Sequence, residues 1–318
     1  MRERGEAAVR SAADLPDAQR PIGRFIADRV LPRWEQLNEY PRATSHQAFV
    51  TKQLQRRGFT VLTLPGVGQV YLRAKEVRGG GYGRLTTLVS AQALEATSSW
   101  DLLQEYLAAA EVPAYEAAAG ADAPHNEGLA VRFFTVGTEP TAAAVQVPLF
   151  VVGDGRSTVR ELVTRSFEHR RRNRALALAL PREVTPALIT AADLTLDTVL
   201  GHKELRILRR NSDLFTGMLP VDVTAVISAE LTEVARQAAA SVPGYGSGSV
   251  DILTSSLRSA ADAAVFGMDP AASMRMHAYP ALGSRQGIGR HISEQFRLRS
   301  EYWDQSFSPA LLEWDELE

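Results

Sequence analysis

No cysteine occurs in the 318 residues. This excludes disulfides, thiolate metal sites and a cysteine nucleophile, and it leaves the compartment's redox state open. Lysine is almost absent too: Lys52, Lys75 and Lys203 are the only three, and every other basic side chain is an arginine. Chemistry that needs an ammonium group therefore has three candidates. No apolar run approaches the ~20 residues that span a bilayer, and the opening Met1-Arg-Glu-Arg-Gly-Glu-Ala-Ala8 lacks the apolar core of a signal peptide. A formal net charge of −2 gives no reason to expect a polyanion or an anionic membrane as partner. The expectation is a cytoplasmic protein that engages neither nucleic acid nor lipid.

The chain is 45% hydrophobic and 23% charged, ordinary values for a globular protein, and long enough for two or three subdomains. Residues 1–42 carry helical patterning broken by Pro16, Pro21 and Pro32. A helix is predicted near His46–Arg57, then strands at Phe59–Leu64, Val70–Ala74 and Leu85–Ser90, with Gly79–Gly83 as a turn. Trp100–Ala110 has helical apolar spacing, and Ala114–His125 reads as a loop. Val131–Val136 and Ala144–Val152 read as strands, and Thr158 or Ser157 as the cap of the next helix. Leu205–Leu208, Val250–Leu253 and Ala263–Met268 are further strands; Ala229–Ala240 and Ile288–Leu298 are helices. The basic run His169–Arg174 is read as a solvated helix end rather than a phosphate or nucleic-acid site. The mixture predicts an α+β (mixed α/β) fold.

Several segments in order resemble the ATP-grasp domain of cyanophycin synthetase and of glutathione synthetase-type carboxylate–amine ligases. They are Val147–Leu162, with its Gly153-Asp-Gly155 and Thr158-Val-Arg-Glu-Leu162; Leu194–Val199; Leu208–Gly217; Val221–Thr224; Gly248–Asp251; and Val265–His277, with Tyr279-Pro280 behind it. The resemblance covers roughly residues 70–298. It implies an ATP-grasp-like core, a mixed or antiparallel sheet flanked by helices. It also implies a division into a helical extension (1–42), an N-terminal α/β subdomain (43–113), a short remnant of the nucleotide lid (114–128), a C-terminal core (129–298) and an acidic aromatic tail (299–318).

Such ligases activate a carboxylate as an acyl phosphate, with magnesium and positive charge around the triphosphate. Against that pattern, Trp100 stands where the first triphosphate-binding lysine belongs, and the stretch entering and leaving the lid holds no lysine. Of the metal ligands Asp251 is kept, the glutamate is Gly267 and the asparagine is Asp269. Asp251 and Asp269 are the metal candidates if magnesium binds at all. Arg132, Arg209 and Asn211 match substrate-bordering positions, and Arg210, Arg275 and His277 match positions near the reacting group. Arginine suits bidentate carboxylate recognition, and structural ion pairs are the other reading; for His277 a core or rim place is the alternative to acid–base work.

The expected role is a degenerate ligase-like protein that needs no cofactor alone. It would act as partner or substrate-presenting subunit of an active ligase or another biosynthetic enzyme, or self-associate, and take a carboxylate-bearing small molecule or peptide. Two alternatives stand: an ATP- and magnesium-dependent ligase completed by another subunit, and an ATP-independent enzyme in the retained cleft.

Overall fold

The computed structural model describes residues 15–64, 69–74, 77–116, 126–191, 193–210 and 213–301. The chain begins with helical turns. α1 (Arg20–Phe25) passes into a π turn at Ile26–Val30 and a 3-10 turn at Leu31–Gln36, then α2 (His46–Gln55) follows. Strands β1 (Thr60–Leu64), β2 (Gln69–Ala74), β3 (Val77–Tyr82) and β4 (Leu85–Thr86) form a four-stranded antiparallel sheet in chain order. Helices α3 (Ala91–Ala96) and α4 (Trp100–Ala109) lead away from it.

The second half holds β5 (Leu129–Val136), β6 (Glu139–Val147), β7 (Phe150–Val152), α5 (Val159–Arg170), α6 (Arg174–Ala177), β8 (Leu205–Ile207) and β9 (Leu219–Asp222). It closes with α7 (Ala229–Ser241), β10 (Ser247–Thr254), β11 (Ala264–Asp269), α8 (Arg275–Ala278) and α9 (Ile288–Glu301). A five-stranded antiparallel sheet runs β11-β10-β5-β6-β9, and β7 pairs with β8 beside it. The mixed α+β class with antiparallel sheets agrees with the sequence pattern.

Alternation along the central strands gives the large sheet two unlike faces. Val131 and Phe133 of β5, Val145 and Val147 of β6, and Val250 and Ile252 of β10 share a core with Leu231, Ala235 and Ala238 of α7, which α4 backs. The residues between them, Arg132, Gln146 and Asp251, therefore lie on the opposite face. There Phe134 packs with Ile288, Ile292 and Phe296 of α9. α9 also packs on α2 and β3, so it joins the two sheets through one apolar layer.

The glycine run departs from its expected turn. Gly79–Gly81 lie within β3, and the reversal falls at Gly83 (φ +60°). A Cβ at Gly79 would stand 2.7 Å from the Phe296 ring, so the bare backbone is what lets α9 lie against this strand. The expected strand Leu85–Ser90 shortens to two residues because Ser90 caps α3, its Oγ accepting from Ala93 N at 3.0 Å. This segment is tied to the far side of the molecule. Ser90 N donates to Gly244 O at 3.0 Å, and a Cβ at Gly246 would stand 2.0 Å from Leu88 O.

The basic run is also different from its expected solvated face. Arg170 is 1% exposed, with its guanidinium 5.4 Å from the Trp34 ring and Nη1 donating to Gly217 O at 2.6 Å. Burial pulls its pKa down to about 9. His169 Nε2 meets Trp34 O at 2.7 Å, and Arg172 pairs with Glu39 at 3.4 Å. The run pins the N-terminal helical turns to the core.

Residues 117–125 of the expected lid remnant lie outside the described residues, as do residues 1–14, Asn211 and 302–318 of the acidic tail. The residues on either side of 117–125 are tied down. Val265 N donates to Pro113 O and Tyr115 N to Val265 O, both at 2.8 Å, and Asn126 N donates to Arg210 O at 3.1 Å. Among the described residues, no helix is long and apolar enough to cross a membrane.

Thr158 closes a full capping box on α5: its side chain takes the Glu161 N–H while Glu161 returns to the Thr158 N–H. Thr158→Ala is expected to lower unfolding stability by about 1 kcal/mol, read as a lower urea midpoint with an unchanged slope.

Candidate functional site

One row of residues crosses the polar face of the large sheet. Gly267 of β11 lies opposite Asp251 of β10, Asp251 opposite Arg132 of β5, and Arg132 opposite Ala144 of β6. Arg132 grips Asp251 with two parallel bonds, Nε to Oδ1 and Nη2 to Oδ2, each 2.7 Å. Gln146 Nε2 adds a third donor to Oδ1 at 3.3 Å. The side chains of Asp251 and Arg132 are 7% and 24% exposed, so this is a largely buried, charge-assisted pair.

The pairing changes what Asp251 offers a metal. Both carboxylate oxygens already face a guanidinium, and Gly267, its neighbour on β11, brings no side chain. A Cβ at Gly267 would meet only Asp251, with Oδ2 at 3.8 Å, so the place where a second carboxylate could reach is open space. Asp269 lies two residues along β11, its Oδ1 taking the Ala271 N–H at 2.8 Å. Among the described residues no three His, Cys, Asp or Glu side chains form a group able to hold a metal ion. The expected pair of metal candidates is thus a salt-bridged Asp251 and an Asp269 engaged with its own turn, a poor fit to a magnesium ion that needs free oxygen ligands.

Beside this row opens a cleft of about 420 Å³. Arg132 and Gln146 come from the large sheet, Arg275 and Met276 from α8, and Arg84 from the β3–β4 turn. Ser45, His46 and Gln47 bring the N-terminus of α2, and Asp213, Leu214, Phe215 and Met218 form the facing wall. Arg84 and Arg275 have no hydrogen-bond or ion-pair partner for their guanidinium groups among the described residues. The cleft therefore combines two unpaired cations with a helix N-terminus, an arrangement suited to an anion.

Of the expected site residues, the cleft brings together Arg132 and Arg275. Arg209 and Arg210 do not line it. Arg209 Nη1 donates to Ala187 O at 2.7 Å, and Arg210 Nη2 sits 3.5 Å from Glu127 Oε1 on the surface. His277 takes the core place rather than the cleft: it is 0% exposed, edge-on to Phe134 at 6.1 Å, with both ring nitrogens lacking a hydrogen-bond partner among the described residues. Burial, then the nearby Arg132 charge, hold its pKa down to about 3. Trp100, in the first turn of α4, packs on the main core.

The histidine in the cleft is one that sequence reading passed over. His46 opens α2 behind its cap Ser45, and its Nδ1 accepts from Met274 N at 3.4 Å. Burial, then Arg84 and Arg275, lower its pKa to about 4, so the ring is neutral at pH 7. Ser45 followed by a helical run was a legible cap signal. The meeting of His46 with Arg275, distant in sequence, was not legible.

No family model matches the chain. Over 168 residues it is 29% identical to the glutathione biosynthesis bifunctional protein GshAB of Enterococcus faecalis, covering 49% of this chain and 22% of that protein. It is 35% identical to GshAB of Mannheimia succiniciproducens over 101 residues, 30% of this chain and 13% of the other. Over 223 residues it is 26% identical to the cyanophycin synthetase of Synechocystis sp., 67% of this chain and 24% of that one. Among solved structures, the bifunctional glutathione synthetase of Pasteurella multocida superposes with a TM-score of 0.60 at 15% identity, over 80% of this chain and 44% of that one. The fold is therefore similar to that of a glutathione synthetase. The chain is a distant relative of two kinds of ATP-grasp ligase, the GshAB proteins and the cyanophycin synthetases, and it spans about a quarter or less of the length of these curated relatives.

Two predictions follow from this geometry. Asp251→Ala removes the carboxylate that Arg132 is bonded to and is expected to cost about 3–5 kcal/mol. The double change Arg132→Met with Asp251→Leu is expected to cost clearly less, read by urea unfolding of the three proteins. The second concerns acid. His46 and His277 have native pKa values of about 4 and about 3 against an ordinary 6.5. Between pH 6.5 and 5 the unfolded chain binds protons that the native chain refuses, so stability falls as pH is lowered through that window. The urea midpoint should drop from pH 7 to pH 5, and His46→Gln or His277→Leu should each flatten the drop; an unchanged slope in both would contradict it.

Proposed function

We propose that this chain is a degenerate ATP-grasp carboxylate–amine ligase that binds a carboxylate-bearing ligand in the arginine cleft and does not perform ATP-dependent ligation alone. It serves as the partner or substrate-presenting subunit of an active ligase or another biosynthetic enzyme, in the cytoplasm. The observation that carries this reading is the Arg132–Asp251 pair. The one metal-binding carboxylate kept in place is already neutralised by a guanidinium, and its neighbour is Gly267. Trp100 where the resemblance implies a lysine, and the short stretch between Pro113 and Glu127 where it implies a lid, support the same reading, because triphosphate transfer depends on charge neutralisation and positioning. Arg275 and Arg84 line a cleft with guanidinium groups that have no partner among the described residues, an arrangement suited to carboxylate recognition.

Calorimetry separates this reading from its rival, an active ligase whose nucleotide site another subunit completes. ATP with magnesium, titrated into the isolated chain, is expected to give no binding up to millimolar concentration. Acetate, the simplest carboxylate, is expected to bind, at least tenfold more weakly in Arg275→Ala. Micromolar ATP binding by the chain alone would overturn the proposal.

A further inference from the structure

The arginine cleft does not end at its charged wall. A second, mainly apolar recess of about 30 Å³ adjoins it, sharing His46, Gln47 and Gly83 and walled by Val50, Leu54, Val70, Leu85 and Phe296. That space suits a small alkyl group and little more. It lies between α2 and β3, where Gly80 and Gly81 contribute backbone alone. Across the cleft, Leu214 and Met218 are apolar, and Phe215 is 65% exposed on its 3-10 turn although it is a large aromatic.

We infer that the ligand is a monocarboxylate on a short, branched or straight apolar body, its head between Arg84 and Arg275 and its alkyl group in the recess behind His46. This rests on the carboxylate-binding reading of the cleft and adds the class of ligand to it. The charges lining the cleft match a single negative head. Arg132 is taken by Asp251, two unpaired guanidinium groups remain, and Asp213 opposes them with Oδ1 already accepting from Phe215 N at 2.6 Å. His46 separates head from body without adding charge. Its Nδ1 is occupied by the Met274 N–H, and a pKa of about 4 keeps it neutral at pH 7, leaving Nε2–H as its donor. A second carboxylate pushed into the recess would lose its water among Val50, Leu54 and Phe296 with no cation to pair with there, a large penalty.

Titration of the whole chain with acetate, 3-methylbutanoate and butanedioate tests this. 3-Methylbutanoate is expected to bind at least tenfold tighter than acetate, as burial of its extra carbons requires, and butanedioate no tighter than acetate. Val50→Phe, which fills the recess, should remove the preference for 3-methylbutanoate over acetate. Equal binding of acetate and 3-methylbutanoate, or preference for butanedioate, would overturn the inference while the carboxylate cleft stands. Failure of every carboxylate, acetate included, would overturn both. The wild-type ligand series decides the matter even where the filled variant fails to fold.

Discussion

A buried carboxylate has to be neutralised, and in this fold Arg132 does it for Asp251. The two residues face one another across β10 and β5 with two 2.7 Å bonds, and Gln146 on β6 satisfies a further acceptor position. The pair is possible because strand alternation gives these three side chains to one face of the sheet, while their neighbours pack on α7. Three strands of the sheet are thereby cross-linked at one height. Removing either partner would leave the other charged and desolvated, so the pair constrains any later change at this place.

That constraint divides the site's chemistry. The charge of Asp251 is balanced from inside the protein, by Arg132. Arg84 and Arg275 line the same cleft and have no guanidinium partner among the described residues. The two histidines show how position sets role. Both have pKa values far below the ordinary range because burial and arginines disfavour a charged ring. His46 reaches the cleft with one nitrogen free to donate, whereas His277 is closed beneath it.

Much of the fold was legible because its signals are local. Apolar runs placed β5 and β10, a Ser or Thr cap placed the start of α5, and helical spacing placed α4 and α7, whereas the single strand expected over Ala144–Val152 is the end of β6 followed by β7. Gly79–Gly83 misled, because glycine marks close packing as readily as a turn; only the Phe296 ring lying on β3 distinguishes the two. The basic run His169–Arg174 misled for a similar reason, since a charge run gives no sign that Trp34 and Phe150 will cover one of its members. The motif order drew attention to Arg132, Asp251, Gly267 and Arg275. What it could not reveal was that Arg132 and Asp251 bind one another, or that His46 and Arg84 complete the cleft. Those facts depend on strand register and on α2 meeting the β3–β4 turn.

The central claim is that Arg132 serves as the cation of Asp251, leaving no place for a divalent metal. Paramagnetic broadening tests it most directly: manganese(II), a magnesium mimic, is added to isotopically labelled protein and the backbone amide resonances of Asp251, Gly267 and Asp269 are followed. The account predicts no selective loss of these signals at micromolar metal. Their selective disappearance, with release of the Arg132 guanidinium resonance from its paired position, would contradict it.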